Sequence, residues 1–212
     1  NEKEEKKAVG EILTPPSRFN IEVNEMSQAG LQFGHKTSKA NPKMRPYFYG
    51  TRNGVHIFEL EKTKIKFEEA LGFIQDLISR DKIILLVGTK VQLKSLVKST
   101  AQECGLPYVT ERWLGGTLTN FDIILKRVEY FKDLEQKKSS GDLEKYTKKE
   151  QAKFNQELDE LEVKFTGIKN MTKLPDAVFV TDTIKDDLAV KEARAKTIKI
   201  IEGIVMRGIL II

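Results

Sequence analysis

Five consecutive apolar residues, Ile83–Val87, leave few ways for the middle of this chain to fold. An apolar strand without polar alternation is typical of a central parallel strand that is covered on both faces. Two further runs, Ala177–Val180 and Ile198–Ile201, have the same character, and a short strand is predicted at Tyr108–Val109. Helical patterns separate these strands. Because parallel strands need crossover connections, the pattern predicts an α/β fold with a parallel sheet flanked by helices.

Three helices are predicted around these strands. The first is capped by Thr63 and carries the inward stripe Phe67, Ala70, Leu71, Ile74, Leu77 and Ile78. The second follows Gly88-Thr89-Lys90, is ended by Gly105, and turns inward Leu93, Leu96, Val97, Ala101 and Cys104. The third is expected near 185–196. The chain has a single cysteine, Cys104, which excludes an internal disulfide framework and indicates a reducing compartment. Its thiol is predicted to be packed and inert.

The segment from 120 to 167 is long, highly charged and without any strand signal, and it predicts a helical hairpin. Apolar residues recur at helical spacing on both arms: Leu118, Phe121, Leu125, Val128 and Phe131, then Phe154, Leu158, Leu161 and Phe165. Residues 137–142 break the first helix, and Thr147 with Glu150 forms a capping box for the second. The narrow stripes and mixed charge favour a protruding coiled-coil pair. The alternative is a helical insertion that packs down on the sheet.

The expected domain organisation follows from these elements. Residues 1–23 form a mobile N-terminal tail, residues 24–119 and 168–212 form the α/β domain, and residues 120–167 form the coiled-coil helical hairpin. The N-terminal segment is of mixed charge and does not resemble a secretory signal. No apolar run approaches the roughly 18 residues that a membrane span needs, so no membrane association is predicted.

The segment from His35 to Asn53 gives the strongest indication of a function. It contains five Lys or Arg, no Asp or Glu, three aromatic residues and two prolines. These five charges equal the formal net charge of +5, so the basicity of the chain is local, as in a nucleic-acid footprint. Pro42 and Pro46 predict an ordered extended loop, and Asn53-Gly54 predicts a tight turn. A solvated basic loop is the alternative, but the interleaved aromatic rings favour contact with RNA.

Within this segment the predicted phosphate contacts are Lys36, Lys39, Lys43, Arg45 and Arg52. Asn41 and Tyr47 are predicted to touch sugar or base, and Asn53 belongs to the same surface. His35 either faces RNA or is held by a backbone hydrogen bond.

A second dense cluster surrounds the only tryptophan of the chain. Its candidate contact residues are Arg112, Trp113, Gly115, Gly116, Thr117, Thr119 and Asn120. Paired glycines allow a close backbone approach, and Thr117, Thr119 or Asn120 could cap the first helix of the hairpin. From chemistry alone, Arg112 and Trp113 either grip a partner or lock the base of the hairpin onto the sheet.

Two other functions are open from the residues. An enzyme on a doubly wound sheet would hold a phosphorylated ligand at Gly88-Thr89-Lys90 and use Asp182 as an acid or base, although a plain strand-to-helix turn explains the same residues. A coiled-coil adapter would bind protein only, and it would have no use for the uncompensated charges of 35–53. His35 and His56 lack the spacing of metal ligands, so neither a metal nor another cofactor is predicted.

Taken together, the motifs resemble the bacterial-type ribosomal protein S2 family of the small subunit. They are Phe33-Gly34-His35, Asn41-Pro42-Lys43-Met44, Arg52-Asn53-Gly54, Val87-Gly88-Thr89-Lys90, Arg112 to Phe121, Leu174-Pro175-Asp176 and Ala189-Val190-Lys191-Glu192-Ala193. The resemblance runs from about Asn24 to Ile201.

The resemblance implies a Rossmann-like (flavodoxin-like) parallel sheet with a protruding coiled-coil pair. It also implies a structural constituent of the small ribosomal subunit that catalyses nothing and supports mRNA recruitment and translation. The implied partners are small-subunit rRNA and neighbouring ribosomal proteins, including the large mRNA-binding protein S1. The implied location is the ribosome of the cytoplasm or of an organelle.

Two departures from the family pattern stand out. Ala40 occupies a place where the family usually has Trp, which is expected to weaken one stacking or packing contact. From Glu202 onward the chain no longer follows the family pattern and ends in four apolar residues, Ile209–Ile212. This end could add a sheet strand, dock on a neighbour, or reflect truncation or divergence of the sequence.

Overall fold

The computed structural model describes residues 19, 21–37, 42–202, 204–206 and 209–211. They form two compact units, one that extends to Leu71 and one that begins at Gly72. These units are defined by contacts within the chain, whereas the predicted division into tail, α/β domain and hairpin is defined by sequence pattern. That division stays a prediction. Ala40 and most of the predicted N-terminal tail lie outside the described residues.

The first unit contains a three-stranded antiparallel sheet, which one helix precedes and another follows in the chain. Its elements are α1 (Val23–Gln28), β1 (Phe33–Lys36), a 3-10 helix (Pro42–Tyr47), β2 (Phe48–Arg52), β3 (Val55–Phe58) and the start of α2 (Leu60–Ser79). The strand order is β1-β3-β2, so β3 is central. Asn53 (φ 52°) and Gly54 (φ 72°) form the two-residue turn between β2 and β3. Positive φ at both positions is what a tight hairpin turn requires, and the predicted turn is confirmed.

The predicted extended loop at 35–53 is wrong. The segment instead contributes a strand, a short 3-10 helix and half of a hairpin. Proline fixes φ near the value that a 3-10 turn uses, so Pro42 and Pro46 are compatible with this short helix although they would interrupt a longer α-helix.

Helix α2 begins one turn earlier than predicted. Thr63 lies inside the helix, where its hydroxyl donates a hydrogen bond of 3.1 Å to the Glu59 carbonyl, and so it does not cap the N-terminus. Leu77 is buried as predicted, but Ile78 is 57% exposed. Ile78 lies at the last turn of the helix, where the apolar stripe runs out.

The second unit is built on a four-stranded parallel sheet. Its strands are β4 (Ile84–Val87), β5 (Tyr108–Val109), β6 (Ala177–Val180) and β7 (Lys199–Glu202), in the order β5-β4-β6-β7. Ile84 lies opposite Ala177, and Ala177 lies opposite Lys199. Every residue of β6 is buried. The predicted α/β class and all four strand positions are confirmed, with shifts of about one residue at the ends.

Helices α3 (Lys94–Cys104) and α6 (Asp187–Ala195) connect these strands. Gly105 ends α3 in the left-handed region (φ 66°), as predicted. Val97 and Ala101 are buried, but Leu96 and Cys104 are exposed. The prediction of a packed Cys104 is therefore wrong: the thiol lies at the last position of the helix, at the edge of the apolar stripe.

The charged segment forms α4 (Phe121–Ser139) and α5 (Lys148–Phe165), which contact each other and are joined by a 3-10 turn at Asp142–Lys145. One buried cluster continues from the sheet into both helices; its members in α4 and α5 are Ile124, Val128, Phe131, Leu134, Leu158, Leu161 and Phe165. The Thr147 amide donates a hydrogen bond of 3.0 Å to Glu150 in the predicted capping box. A coiled-coil geometry and a protrusion of this helix pair stay predictions.

The end of the chain does not extend the parallel sheet. The backbones of β8 (Ile204–Met206) and β9 (Ile209–Ile211) pair with each other as a separate antiparallel ribbon. Of the alternatives expected for this segment, the addition of a strand to the main sheet is therefore wrong. Among the described residues, no helix combines the length and the apolar character that crossing a membrane requires.

Candidate nucleic-acid interface

The three-stranded sheet aligns two cations of the basic segment. Lys36 on β1 and Arg52 on β2 are both in register with Val55 on the central strand. Residues opposite each other in a sheet point to the same face, and neighbouring strands lie about 4.8 Å apart. Both side chains are exposed. Lys36 and Arg52 therefore lie on one face, separated by about two strand spacings, next to the Asn53–Gly54 turn.

The described part of the protein does not neutralise these cations. Among the described residues, no carboxylate lies within ion-pair distance of Lys36, Arg45 or Arg52. The lysines of α2 in the same unit differ, since Lys62 pairs with Glu59 at 2.6 Å and Lys66 with Glu69 at 2.7 Å. Unpaired exposed cations on one surface attract a polyanion.

The three aromatic residues of the segment have different surroundings. The Phe48 ring stacks on His56 with centroids 4.0 Å apart and packs at a tilt on Phe58 at 5.1 Å. Tyr47 is half-buried, and its carbonyl accepts a hydrogen bond of 3.0 Å from the Glu59 amide. Tyr49 is 81% exposed. Of the three rings, that of Tyr49 is therefore the one that solvent reaches freely.

Several predicted RNA contacts lie partly or wholly outside the described part of the chain. Lys39 and Asn41 are not described, and for His35 and Lys43 the backbone is described but the side chain is not. Arg45 is exposed in the 3-10 helix, and Asn53 is exposed in the hairpin turn. His56 stacks on Phe48, and its buried Nδ1 has no hydrogen-bond partner among the described residues.

In the second unit, the loop that contains the tryptophan wraps around one carboxylate, that of Glu192 on α6. Oε1 of Glu192 accepts hydrogen bonds from Trp113 Nε1 at 3.1 Å and from the Gly116 amide at 2.8 Å. Oε2 accepts from the Leu118 amide at 2.9 Å and from the amide and hydroxyl of Thr119 at 3.2 and 3.3 Å. Gly116 adopts φ 91°, which favours glycine. The carboxylate thus accepts the hydrogen bonds that the N–H and O–H groups of this loop would otherwise donate to water.

The charge of Glu192 is retained although the side chain is only 6% exposed. Burial raises the pKa of the Glu192 carboxyl, and hydrogen bonds from the surrounding loop lower it by more, so its pKa lies below the ordinary value. The ionised form is consequently the one that organises the loop.

This arrangement divides the predicted contact residues of the loop. Trp113 is buried, and Thr117 donates its hydroxyl to the Leu114 carbonyl at 2.7 Å. Asn120 occupies the N-cap position of α4, but neither it nor Thr117 nor Thr119 caps the helix with its side chain. Trp113 therefore locks the loop internally. The exposed predicted residues are Arg112, Gly115, Thr119 and Asn120.

The carboxyl edge of the parallel sheet is occupied by its own side chains. Asp186 accepts hydrogen bonds from the Thr89 hydroxyl at 2.7 Å and the Thr89 amide at 3.4 Å. Lys90 pairs with Asp182 at 3.4 Å, and the Lys185 ammonium donates to the Thr89 carbonyl at 3.0 Å. A Cβ on Gly88 would lie 2.8 Å from Val97 Cγ2. The turn that could hold a phosphate is thus closed by internal contacts.

Asp182 also has its charge and hydrogen-bond partners within the protein. Burial raises the pKa of its carboxyl, but the Lys185 amide, the Lys90 ammonium and the Ile184 amide together lower it below the ordinary value. A general acid or base for neutral pH would need a pKa moved toward 7 instead. Within the described residues, no group of three potential metal ligands comes together.

Comparison with known proteins identifies the family. Residues 26–205 match the family model described as "Ribosomal protein S2". The chain belongs to the ribosomal protein S2 family. A relative from Koribacter versatilis (strain Ellin345), named "Small ribosomal subunit protein uS2", is 42% identical over 182 residues. The match covers 86% of this chain and 60% of that relative, so the chain spans about three fifths of the relative's length.

For this S2-family chain, the resemblance expected from the motifs is confirmed, and so is the α/β fold. The motif residues did not by themselves indicate the role of Glu192. A signal was present, because Glu192 interrupts a helix face that is otherwise apolar, formed with Ala189, Val190 and Ala193. A buried charge needs partners, and the loop that supplies them lies more than 70 residues earlier in the chain.

Proposed function

We propose that this chain is a structural constituent of the small ribosomal subunit that binds rRNA through its first unit. The observation that carries the proposal is the presence in the first unit of three exposed cations, Lys36, Arg45 and Arg52, that no described carboxylate neutralises. Phosphate oxygens are the natural partners of such a surface. Membership of the ribosomal protein S2 family supports rRNA as the source of these phosphates.

The proposed RNA-binding set also includes the residues that the structure describes only in part or not at all. It is His35, Lys36, Lys39, Asn41, Lys43, Arg45, Tyr47, Arg52 and Asn53. Arg112, Gly115, Thr119 and Asn120 form a separate proposed contact surface on the second unit. For that surface the proposed partners are rRNA or neighbouring small-subunit proteins.

We also propose that the chain supports mRNA recruitment and translation through contact with the large mRNA-binding protein S1. This partner is suggested by the resemblance of the motifs, and the exposed charged faces of α4 and α5 offer it a surface. The proposed location is the cytoplasmic ribosome.

The enzyme alternative finds little support in the second unit. Thr89, Lys90 and Asp182, which a phosphorylated ligand would need, are engaged with one another or with Asp186 and Lys185. We therefore propose a structural role without catalysis.

Sucrose-gradient sedimentation of a cell extract at low and high salt tests the proposed function. We expect the chain to comigrate with the small subunit at low salt and to be released as salt rises, because counterions compete for the phosphates. Migration of the chain only near the top of the gradient at every salt concentration would contradict a ribosomal role.

A further inference from the structure

A β-bulge directs the Tyr49 ring out of the protein. Phe48 lies opposite Phe58, and Gly50 lies opposite Ile57, so two steps on β2 correspond to one step on β3. The residue between them, Tyr49, is the extra one. Bulges are common on edge strands, where they change the direction of a side chain. Strand β2 is an edge of its three-stranded sheet.

The exposure of Tyr49 is unusual for an aromatic residue of a small sheet. Its side chain is 81% exposed, more than that of any other large hydrophobic residue in the described part of the chain. Phe48 and Phe58 supply the aromatic packing of the hairpin without it. The Tyr49 ring therefore contributes little to the folded unit, and a bulge that turned it inward would bury more apolar surface.

The cations of the same segment indicate what could cover this ring. Arg52 lies on the same strand and Arg45 in the 3-10 helix that leads into it, and both are exposed. Lys36 is aligned with Arg52 across the central strand. An apolar protein partner would have to leave these cations unpaired, whereas a nucleic acid offers phosphates for the cations and a flat base for the ring.

We propose that Tyr49 stacks on an unpaired base of a single-stranded rRNA segment whose phosphates contact Arg45, Arg52 and Lys36. This inference rests on the proposed function and makes it more specific. It assigns the base contact to Tyr49, while the half-buried Tyr47 supports the fold through its backbone. Stacking tolerates any base, so Tyr49 would bind a splayed-out nucleotide without a preference for its sequence.

The test uses small ribosomal subunits that lack their own S2 protein and measures the binding of the full chain at several salt concentrations. Tyr49→Ala is expected to weaken binding about tenfold or more, since stacking on an aromatic side chain has that order of effect. The dependence of affinity on salt should not change, because no phosphate contact is lost. Tyr49→Phe should bind like the unaltered chain, and Thr51→Ala, a neighbouring exposed change, is the matched control.

A second readout identifies the partner directly. Ultraviolet irradiation of the complex, followed by mass spectrometry of peptides, should find a nucleotide attached at Tyr49. An adduct with a ribosomal protein at this position would overturn the inference.

The failures of the two proposals are distinguishable. If Tyr49→Ala binds as tightly as the unaltered chain while Lys36→Ala and Arg52→Ala reduce the salt dependence, the stacking inference is wrong and the proposed function stands. If the unaltered chain does not bind the depleted subunits, the proposed function fails and the inference fails with it.

Discussion

The indole Nε1 of Trp113 donates a hydrogen bond of 3.1 Å to the carboxylate of Glu192, which follows it by 79 residues in the chain. Both side chains are buried. This bond joins the loop before α4 to helix α6, and it explains why Trp113 is a fixed internal residue. The exposed positions of the loop, Arg112 and Asn120, are held in place by this internal network.

Replacing Glu192 is expected to destabilise the second unit. In Glu192→Gln the NH2 group of the new amide would face N–H and O–H donors that the carboxylate accepts from in the unaltered chain. The free energy of unfolding should therefore fall by about 3 kcal/mol. Urea unfolding followed by the fluorescence of Trp113, the only tryptophan, measures this change. Glu129→Gln, an exposed change on α4, is the control and should have almost no effect. Equal stability of the two variants would contradict the proposed network.

The contribution of Glu192 should depend on pH. Its carboxyl has a lowered pKa in the folded chain, whereas the pKa of a glutamate in an unfolded chain is about 4.3. The stabilisation is therefore fully present above that value and is lost as the pH falls through the lower folded pKa. We expect the difference in unfolding free energy between the unaltered chain and Glu192→Gln to shrink between pH 7 and pH ~3. Asp182 also has a lowered pKa, but it is present in both proteins and cancels. A difference that stays constant over this range would contradict the account.

Gly167 is expected to tolerate no side chain. A Cβ there would lie 2.0 Å from the Tyr108 carbonyl oxygen, which belongs to the backbone of β5 and cannot move aside as a side chain could. Gly167→Ala should lower the free energy of unfolding by about 3 kcal/mol or more.

Gly72→Ala serves as the matched control for Gly167→Ala. A Cβ at Gly72 would meet nothing within 4 Å, and this residue lies inside α2. Because alanine favours helix over glycine, the substitution should stabilise the chain by about 0.5–1 kcal/mol. The two variants, compared by thermal unfolding, should therefore change stability in opposite directions. Changes of the same sign would contradict the close approach of Gly167 to β5.

Periodicity was sufficient to predict the parts of this fold that depend on local sequence. Ile84, Leu85 and Val87 of the apolar run are buried, and so are Val128 and Phe131 of the hairpin stripe. An apolar strand, or the apolar stripe of a helix, must be covered by other parts of the chain. The stripe was less reliable at helix ends. Cys104 and Ile78 lie in the last turns of their helices, and both are exposed.

The candidate sites were harder to predict because they depend on contacts that are distant in sequence. Nothing near Glu192 in the chain indicates the loop that binds it. In the basic segment, composition identified the charges but not the roles of the rings: a one-residue bulge exposes Tyr49, while Phe48 packs on His56. A shift of register by one residue is not visible in the spacing of the sequence.

The cations of the first unit should each contribute to the salt dependence of RNA binding. Lys36→Ala and Arg52→Ala are each expected to reduce the slope of log affinity against log salt by about 1, because each removes one phosphate contact. Lys66→Ala is the control, since this lysine pairs with Glu69 at 2.7 Å in the same unit. Binding to S2-depleted small subunits over a series of salt concentrations gives the slopes. Identical slopes for all three variants would contradict the assignment.

The most direct test of rRNA binding by the first unit combines these charges. The unaltered chain and the triple variant Lys36→Ala, Arg45→Ala, Arg52→Ala are each added to S2-depleted small subunits and sedimented through a sucrose gradient at low salt. The account predicts that the unaltered chain comigrates with the subunits and that the triple variant stays near the top, while both unfold at the same urea concentration. Comigration of the triple variant to the same extent as the unaltered chain would contradict the account.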